Sequence, residues 1–132
     1  SGNKIQKASP GGLVAIQTDL DPSLTKSDSL AGNVAGLKSK LPPSEEELRF
    51  KTTLFDHVIG IEGLQKVGNL KAGDVLMLTV AIAKTVGVVS SSSKGVLAVK
   101  LKLPVCAEKG HRISISKQIS GRWHLVGYGT IV

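Results

Sequence analysis

The sequence predicts an all-β protein, built around an antiparallel six-stranded β-barrel. Three observations support this fold class: apolar and polar residues alternate along short runs, turn signals separate the runs, and the apolar residues are mostly aliphatic. Hydrophobic residues make up 41% of the 132 residues and aromatic residues only 3%, so Val, Ile, Leu and Ala must form the core, and the β-branched ones favour strands. Short strands with regular turns are typical of barrels and sandwiches.

Residues 1–42 form the first predicted region, which is rich in Gly, Pro, Ser and Asp. Its apolar stretches, residues 13–16 and 30–37, are long enough only for brief strands. A helical turn is predicted at Pro22. Pro42 and Pro43 then remove two backbone donors, and a charge run follows them. A linker, and with it a domain boundary, is therefore predicted at the two prolines.

Six strands are predicted after this linker. In the first, Leu48, Phe50, Thr52 and Leu54 would share one face. The second is nearly all apolar, and its length alone would permit a helix, but the neighbouring runs favour a strand. In the last, Trp123, Leu125, Gly127, Gly129 and Ile131 would lie on one side. The predicted strands are residues 48–54, 74–83, 86–89, 97–103, 112–116 and 123–131.

Turns and glycines complete the predicted barrel. Turn signals occur at residues 71–74, 90–95, 108–110 and 120–121, and a weak helical pattern at residues 61–67. Gly127 and Gly129 alternate with larger residues. Tight curvature or close packing explains these two glycines better than approach to a ligand.

The charge is basic and unevenly distributed. The formal net charge is +7, and residues 84–132 hold eight Lys or Arg residues against Glu108 alone. Phosphate is a suitable counterpart for such a segment, and a solvated strand face is the other interpretation. Charge alone leaves both open.

The chemistry-bearing residues do not predict an enzyme. The GxxxxGK[ST] loop that cradles phosphates is absent, and the three His residues are isolated, so no metal ligand set is predicted. Cys106 lies in an apolar run, which favours a buried, unreactive thiol. Asp21 precedes Pro22, which is typical of a turn in which the Asp side chain accepts a hydrogen bond. This interpretation is preferred to an acidic site formed by Asp21 with Asp19 and Asp28. An apolar run long enough for a membrane span is also absent, so a cytoplasmic location is expected.

Two stretches of the sequence carry a resemblance to a known family. The first is Pro-Gly-Gly-Leu-Val-Ala-Ile-Gln-Thr at residues 10–18, continuing through residues 20–34. The second is Ile-Ser-Gly-Arg-Trp-His-Leu-Val-Gly-Tyr-Gly-Thr-Ile at residues 119–131. Both resemble the gamma subunit of archaeal and eukaryotic translation initiation factor 2, and shorter blocks between them keep the family's order. Selenocysteine-specific and other elongation factors match the first stretch less well.

The resemblance implies an architecture and a role. Residues 1–42 would be the C-terminal strands of a second barrel and residues 45–132 the complete third barrel. The whole subunit binds GTP and Mg²⁺ in a GTPase domain that this sequence lacks, and it delivers methionyl initiator tRNA to the small ribosomal subunit. This piece would then be a non-catalytic scaffold without a cofactor. Its partners would be initiator tRNA or ribosomal RNA, the alpha and beta subunits, the GTPase domain and an assembly chaperone, with no membrane.

Similarity to elongation factor Tu places four basic residues against RNA. Lys26 matches a basic position in the first region, and Arg112, Lys117 and Arg122 lie in the final hairpin. Such side chains would contact phosphates without reading bases. Trp123 is expected to anchor the core or an edge rather than stack on a base. The alternative is a protein-interaction barrel that docks an assembly factor or the GTPase domain without RNA contact.

Overall fold

A computed structural model describes residues 2–132, and its main feature is a closed antiparallel barrel. The strand order around the barrel is β1-β4-β3-β2-β5-β6, with β6 paired back to β1. The predicted six-stranded antiparallel barrel is therefore confirmed. Its strands are β1 (Ser44–Leu54), β2 (Val75–Val80), β3 (Ala83–Ser93), β4 (Val96–Cys106), β5 (Arg112–Ile119) and β6 (Arg122–Ile131).

The chain divides into two compact units, Ser1–Leu30 and Ala31–Val132. The first contains one helix, α1 (Pro22–Thr25), followed by a 3-10 turn at Lys26–Asp28. The predicted helical turn is confirmed, because Pro22 occupies its first turn and Asp21 Oδ1 accepts the Ser23 N–H at 2.8 Å. Across residues 2–132, no helix has the length and apolar content needed to cross a bilayer.

The brief strands expected at residues 13–16 and 30–37 do not form. Residues 2–43 contain no strand in the structure, and the side chains of Leu13 and Ile16 are 102% and 79% exposed. A strand is stable only beside neighbours that take up its backbone groups and cover its apolar face, and these stretches have neither. The assignment of residues 1–42 to the end of a second barrel stays a prediction.

Several strand boundaries differ from those predicted. The run predicted as one strand over residues 74–83 is split, because β2 ends at Val80 and the chain turns at Ala81 and Ile82 before β3. Ala81 takes a φ of 52°, without the Gly or Asn that usually marks such a turn. Conversely, residues 90–93 extend β3, and the turn shrinks to Lys94–Gly95, with φ of 49° and 77°.

Residues 55–74 form a loop rather than the helical stretch suggested for residues 61–67. One isolated bridge pairs His57 with Lys66, and Gly60 and Gly63 take φ of 85° and 93°. Positive φ at two glycines interrupts any helix. The predicted turn at its end is confirmed, since the Asp74 N–H donates to Lys71 O at 3.0 Å.

The interior of the barrel is aliphatic, with Phe50 at its centre. Leu48 and Phe50 are buried as predicted, and Leu76, Leu78 and Ile115 meet them from the opposite strands. All of these side chains are at most 1% exposed.

A bulge in β6 changes the predicted faces of that strand. Ile115 pairs with Gly127 but Ser116 pairs with Leu125, so Val126 is an extra residue in β6. An extra residue moves the side chains before it to the opposite face. Gly127, Gly129 and Ile131 therefore face inward as predicted. Trp123, which is 37% exposed, and Leu125 leave the predicted row, so of the two places expected for Trp123, the core or an edge, the structure excludes the core.

Gly127 and Gly129 lie where β6 packs closely against β1. A Cβ added at Gly127 would overlap the Thr53 carbonyl oxygen and lie 3.0 Å from Leu54 Cα. At Gly129 it would lie 2.8 Å from Phe50 Cδ2. The predicted close packing at both glycines is confirmed.

Candidate functional site

Eight Lys and Arg residues of the barrel are spread over strands β3 to β6 and the turns between them. Of the eight Lys and Arg residues between positions 84 and 132, seven are exposed and only Lys117 is partly buried. The exposed ones are Lys84, Lys94, Lys100, Lys102, Lys109, Arg112 and Arg122. Since Glu108 is the one Asp or Glu in this stretch, residues 84–132 account for a formal charge of +7.

Lys117 is held by a carboxylate within the barrel. Its Nζ lies 3.0 Å from Asp74 Oδ2, and the two side chains are 33% and 25% exposed. The same oxygen accepts the Lys71 N–H at 3.0 Å. Burial raises the pKa of Asp74, but these hydrogen bonds and the charges of Lys117 and Lys71 outweigh it and lower the pKa below the ordinary value. The ammonium of Lys117 is therefore already paired.

The β5–β6 hairpin separates the three predicted basic contacts. Residues directly opposite each other in adjacent strands share a face. Lys117 pairs with His124 and Ile119 pairs with Arg122, which places Lys117 and Arg122 on the face that also carries the buried Ile115. Arg112 alternates with that row, on the outer face, and lies about 17 Å from Lys117 along β5. The structure thus brings Lys117 and Arg122 together and places Arg112 elsewhere.

Arg112 lines a shallow hollow on the outer surface of β2, β5 and β6. The hollow has a volume of about 380 Å³, and Thr79, Ser114 and Tyr128 contribute hydroxyl groups to its wall. Tyr128 is 43% exposed, and its ring centroid lies 6.1 Å from that of Phe55. The sequence pattern did not single out Tyr128 as a site residue. The feature that could have done so is its alternation with the inward Gly127 and Gly129, which places it on the outer face.

Lys26 belongs to the first unit. It follows α1 directly, begins the 3-10 turn and is exposed. The nearby Asp21 has a lowered pKa, because its carboxylate accepts hydrogen bonds from the Ser23 side chain and backbone.

The remaining polar groups do not form a metal-ligand cluster in the part of the chain that the structure describes. Within residues 2–132, no group of three or more His, Cys, Asp and Glu residues lies close enough to hold a metal ion. His124 Nδ1 lies 3.3 Å from Ile59 O, and Cys106 is only partly buried, not fully as predicted. A cavity of about 580 Å³ lies between Thr52 and Lys71, and the described residues that line it include no carboxylate or imidazole.

Comparison with known proteins places these features in one family. Residues 46–131 match the family model described as "Initiation factor eIF2 gamma, C terminal". The chain is similar to translation initiation factor 2 subunit gamma of Methanocaldococcus jannaschii, with 48% identity over 132 residues, and that of Pyrococcus abyssi, with 48% over 130. The Methanococcus maripaludis protein is 47% identical over 131 residues.

These alignments cover 98% or 99% of this chain and 32% of each relative. The chain thus spans about a third of the length of the curated relatives it matches.

Proposed function

Because this chain belongs to the initiation factor eIF2 gamma family, as part of its C-terminal region, we propose that it is a non-catalytic scaffold that presents a basic surface to RNA during translation initiation. The whole protein would bind GTP and Mg²⁺ in a GTPase domain outside this chain and deliver methionyl initiator tRNA to the small ribosomal subunit in the cytoplasm. Its partners would include the alpha and beta subunits and an assembly chaperone. Residues 1–42 would complete a second barrel.

The observation that carries the RNA proposal is the exposed charge of the β5–β6 hairpin and the turn before it. Residues 109–132 hold four Lys or Arg residues, three of them exposed, and no Asp or Glu. RNA backbones carry one negative charge per nucleotide, and cations that neutralise them release counterions, which favours binding. The rigid barrel fixes the spacing of these cations, which suits recognition of an RNA by its shape.

Arg112 and Arg122 are the strongest candidates for direct contact. Both guanidinium groups are on exposed residues, whereas the ammonium of Lys117 is paired with Asp74 at 3.0 Å. A guanidinium can donate two parallel hydrogen bonds to one phosphate. The hydroxyl groups of Ser114 and Tyr128 beside Arg112 could bind the ribose or a neighbouring phosphate.

Charge reversal tests this proposal. We expect the 132-residue chain to bind fluorescein-labelled initiator tRNA or a ribosomal RNA fragment in a salt-dependent manner, measured by fluorescence anisotropy. The R112E/R122E double variant should bind at least about tenfold more weakly, with a salt slope reduced by about 2, since two phosphate contacts are lost.

The matched control is K38E/K66E, which makes the same change in net charge at exposed residues outside positions 84–132 and outside the strands of the barrel. Equal weakening by both double variants would mean that only bulk charge matters. If the unchanged chain binds neither RNA in a salt-dependent manner, the direct RNA role fails and only the scaffold role remains.

A further inference from the structure

The outer side of β2 and β3 is apolar, although it is open to solvent. In β2, Val75 and Met77 alternate with the buried Leu76 and Leu78, so both faces of the strand are apolar up to Leu78. In β3, Val86 and Val88 likewise alternate with inward residues. An antiparallel strand with one face in water normally alternates apolar and polar residues, and a strand that is apolar on both sides is typical of one covered on both sides.

Strand pairing joins these four residues into one patch, which we call the β2–β3 face. Val75 lies directly opposite Val88, and Met77 directly opposite Val86. Val75 and Val88 are each 46% exposed. Such directly opposite pairs contact each other on one face of a sheet.

The outer side of β1 differs from the β2–β3 face. There Arg49, Lys51 and Thr53 are exposed between inward residues, as expected of a strand in contact with water. The apolar outer surface is therefore a local property of β2 and β3 and not of the barrel as a whole.

Lysines frame the β2–β3 face on the side of β4. Lys100 lies opposite Val88, and Lys102 lines two adjoining hollows of about 280 and 340 Å³ that meet over Val86. Lys84 lines the first of these, beside Leu103, which is 62% exposed. Among the described residues, no carboxylate lines either hollow.

The three lysines are not paired within the barrel. Among the described residues, no ion pair joins Lys84, Lys100 or Lys102 to a carboxylate. Glu47, which lies opposite Lys100 across β1 and β4, has its Oε1 3.6 Å from Arg49 Nε instead. The ammonium groups of this frame are therefore available to carboxylates of a partner.

We propose that the β2–β3 face docks a partner protein through an acidic amphipathic segment, with apolar side chains over Val86 and carboxylates on Lys100 and Lys102. Burying the valines and the methionine removes apolar surface from water, and the lysines select the charge of the partner. RNA fits this face poorly, because a valine has no ring on which a base can stack. The face is separate from the Arg112 hollow, so the inference goes beyond the proposed RNA role.

Chemical-shift mapping of the ¹⁵N-labelled 132-residue chain tests this docking face. The probe is a short synthetic peptide in which Leu or Phe alternates with Glu, used beside one peptide with Ser for the apolar residues and one with Lys for Glu. We expect saturable shifts at Val75, Met77, Val86 and Val88 with the first peptide only.

Substitutions at exposed positions locate the contact. V88S and K100E should each weaken peptide binding about tenfold or more, because they remove apolar contact and reverse a charge. The matched controls V132S and K51E, at exposed residues outside the face, should bind as the unchanged chain does. R112E/R122E should also bind the peptide normally, which separates this result from the RNA test.

Three outcomes would overturn the proposal. The peptide could cause no saturable shifts or shifts scattered over the barrel. The Ser-containing peptide could bind equally well, which would reduce the effect to charge. Alternatively, tRNA could shift the same four residues while the peptide does not, which would make this face part of an RNA surface.

Discussion

At the scale of single residues, Gly127 lies at the closest approach of β6 to β1. It pairs with Leu54, and the neighbouring Thr53 carbonyl occupies the space that a side chain would need. The alternation of Gly127 and Gly129 with larger residues was enough to predict close packing. Gly87 plays the same part, since its added Cβ would lie 2.6 Å from Val99 Cγ1, but nothing in its sequence neighbourhood distinguishes it.

We expect Gly127→Ala to lower the free energy of unfolding by roughly 2–3 kcal/mol, because either the methyl group or β1 has to move. Urea unfolding followed by circular dichroism measures the change. Gly68→Ala is the matched control, since a Cβ at Gly68 meets no atom within 4 Å and its φ is not positive. Equal losses for both variants would contradict the steric explanation.

Whether a basic side chain is free to bind a partner also depends on the contacts of that single residue. The sequence identified Arg112, Lys117 and Arg122 by type and position. It could not distinguish the paired Lys117 from the other two, because its partner Asp74 lies 43 residues away and meets it only through strand pairing. Tyr128 was not predicted as a site residue for a related reason. Only the fold shows that it lines the same hollow as Arg112.

At the scale of elements, the pattern predicted which strands exist better than where they end. The turn at Ala81 and Ile82 is apolar, so the sequence around it reads as one continuous strand. The bulge at the extra residue Val126 could not be predicted either, because a bulge depends on pairing with β5 and not on local composition. Polar turn residues, by contrast, marked Lys71–Asp74 and Ser120–Gly121 correctly.

The Asp74–Lys117 pair ties the start of β2 to β5, and we expect it to make stability depend on pH. The pKa of Asp74 is lowered in the folded state, so its contribution is present in full above its unfolded pKa, near 3.9. The contribution is lost as the pH falls through the folded pKa. At neutral pH, Asp74→Asn should cost about 1 kcal/mol, because both side chains are partly exposed.

Urea unfolding at a series of pH values measures this effect. The difference between Asp74→Asn and the unchanged chain should shrink toward acid pH. Glu62→Gln, at an exposed carboxylate of the 55–74 loop, is the control and should give no comparable difference. A constant difference at all pH values would mean that the ionised form of Asp74 contributes nothing.

At the scale of the whole molecule, the fold class followed from alternation and turn spacing, which are local properties. The state of residues 2–43 did not, because a strand exists only in the presence of its neighbours. Their brief apolar stretches therefore resemble strands in sequence but form none here. The sequence also left open whether the basic segment binds phosphate or is a solvated strand face. The role of a charged side chain depends on the groups that the fold places around it.

We expect the barrel to fold without the first segment. Every residue from 2 to 31 is exposed, and the buried core runs from Leu48 to Ile131. A chain of residues 31–132, the second compact unit, should therefore unfold cooperatively with a Tm within about 4 °C of the 132-residue chain, because it keeps the whole buried core. Thermal unfolding followed by circular dichroism measures both.

The 132-residue Leu78→Ala variant is the positive control, since it removes a fully buried side chain and should lower stability by about 3 kcal/mol. If the shortened chain loses as much stability as Leu78→Ala, the first segment supports the barrel.

Closure of the barrel limits the way in which any partner can bind. Each strand has a neighbour on both sides, so no strand of the barrel is an edge strand along its whole length. A full edge strand is what β-augmentation and edge-to-edge stacking of sheets use, and the barrel does not present one. Recognition therefore depends chiefly on side chains. Surface substitutions can therefore change the choice of partner while the hydrogen-bonded frame stays intact.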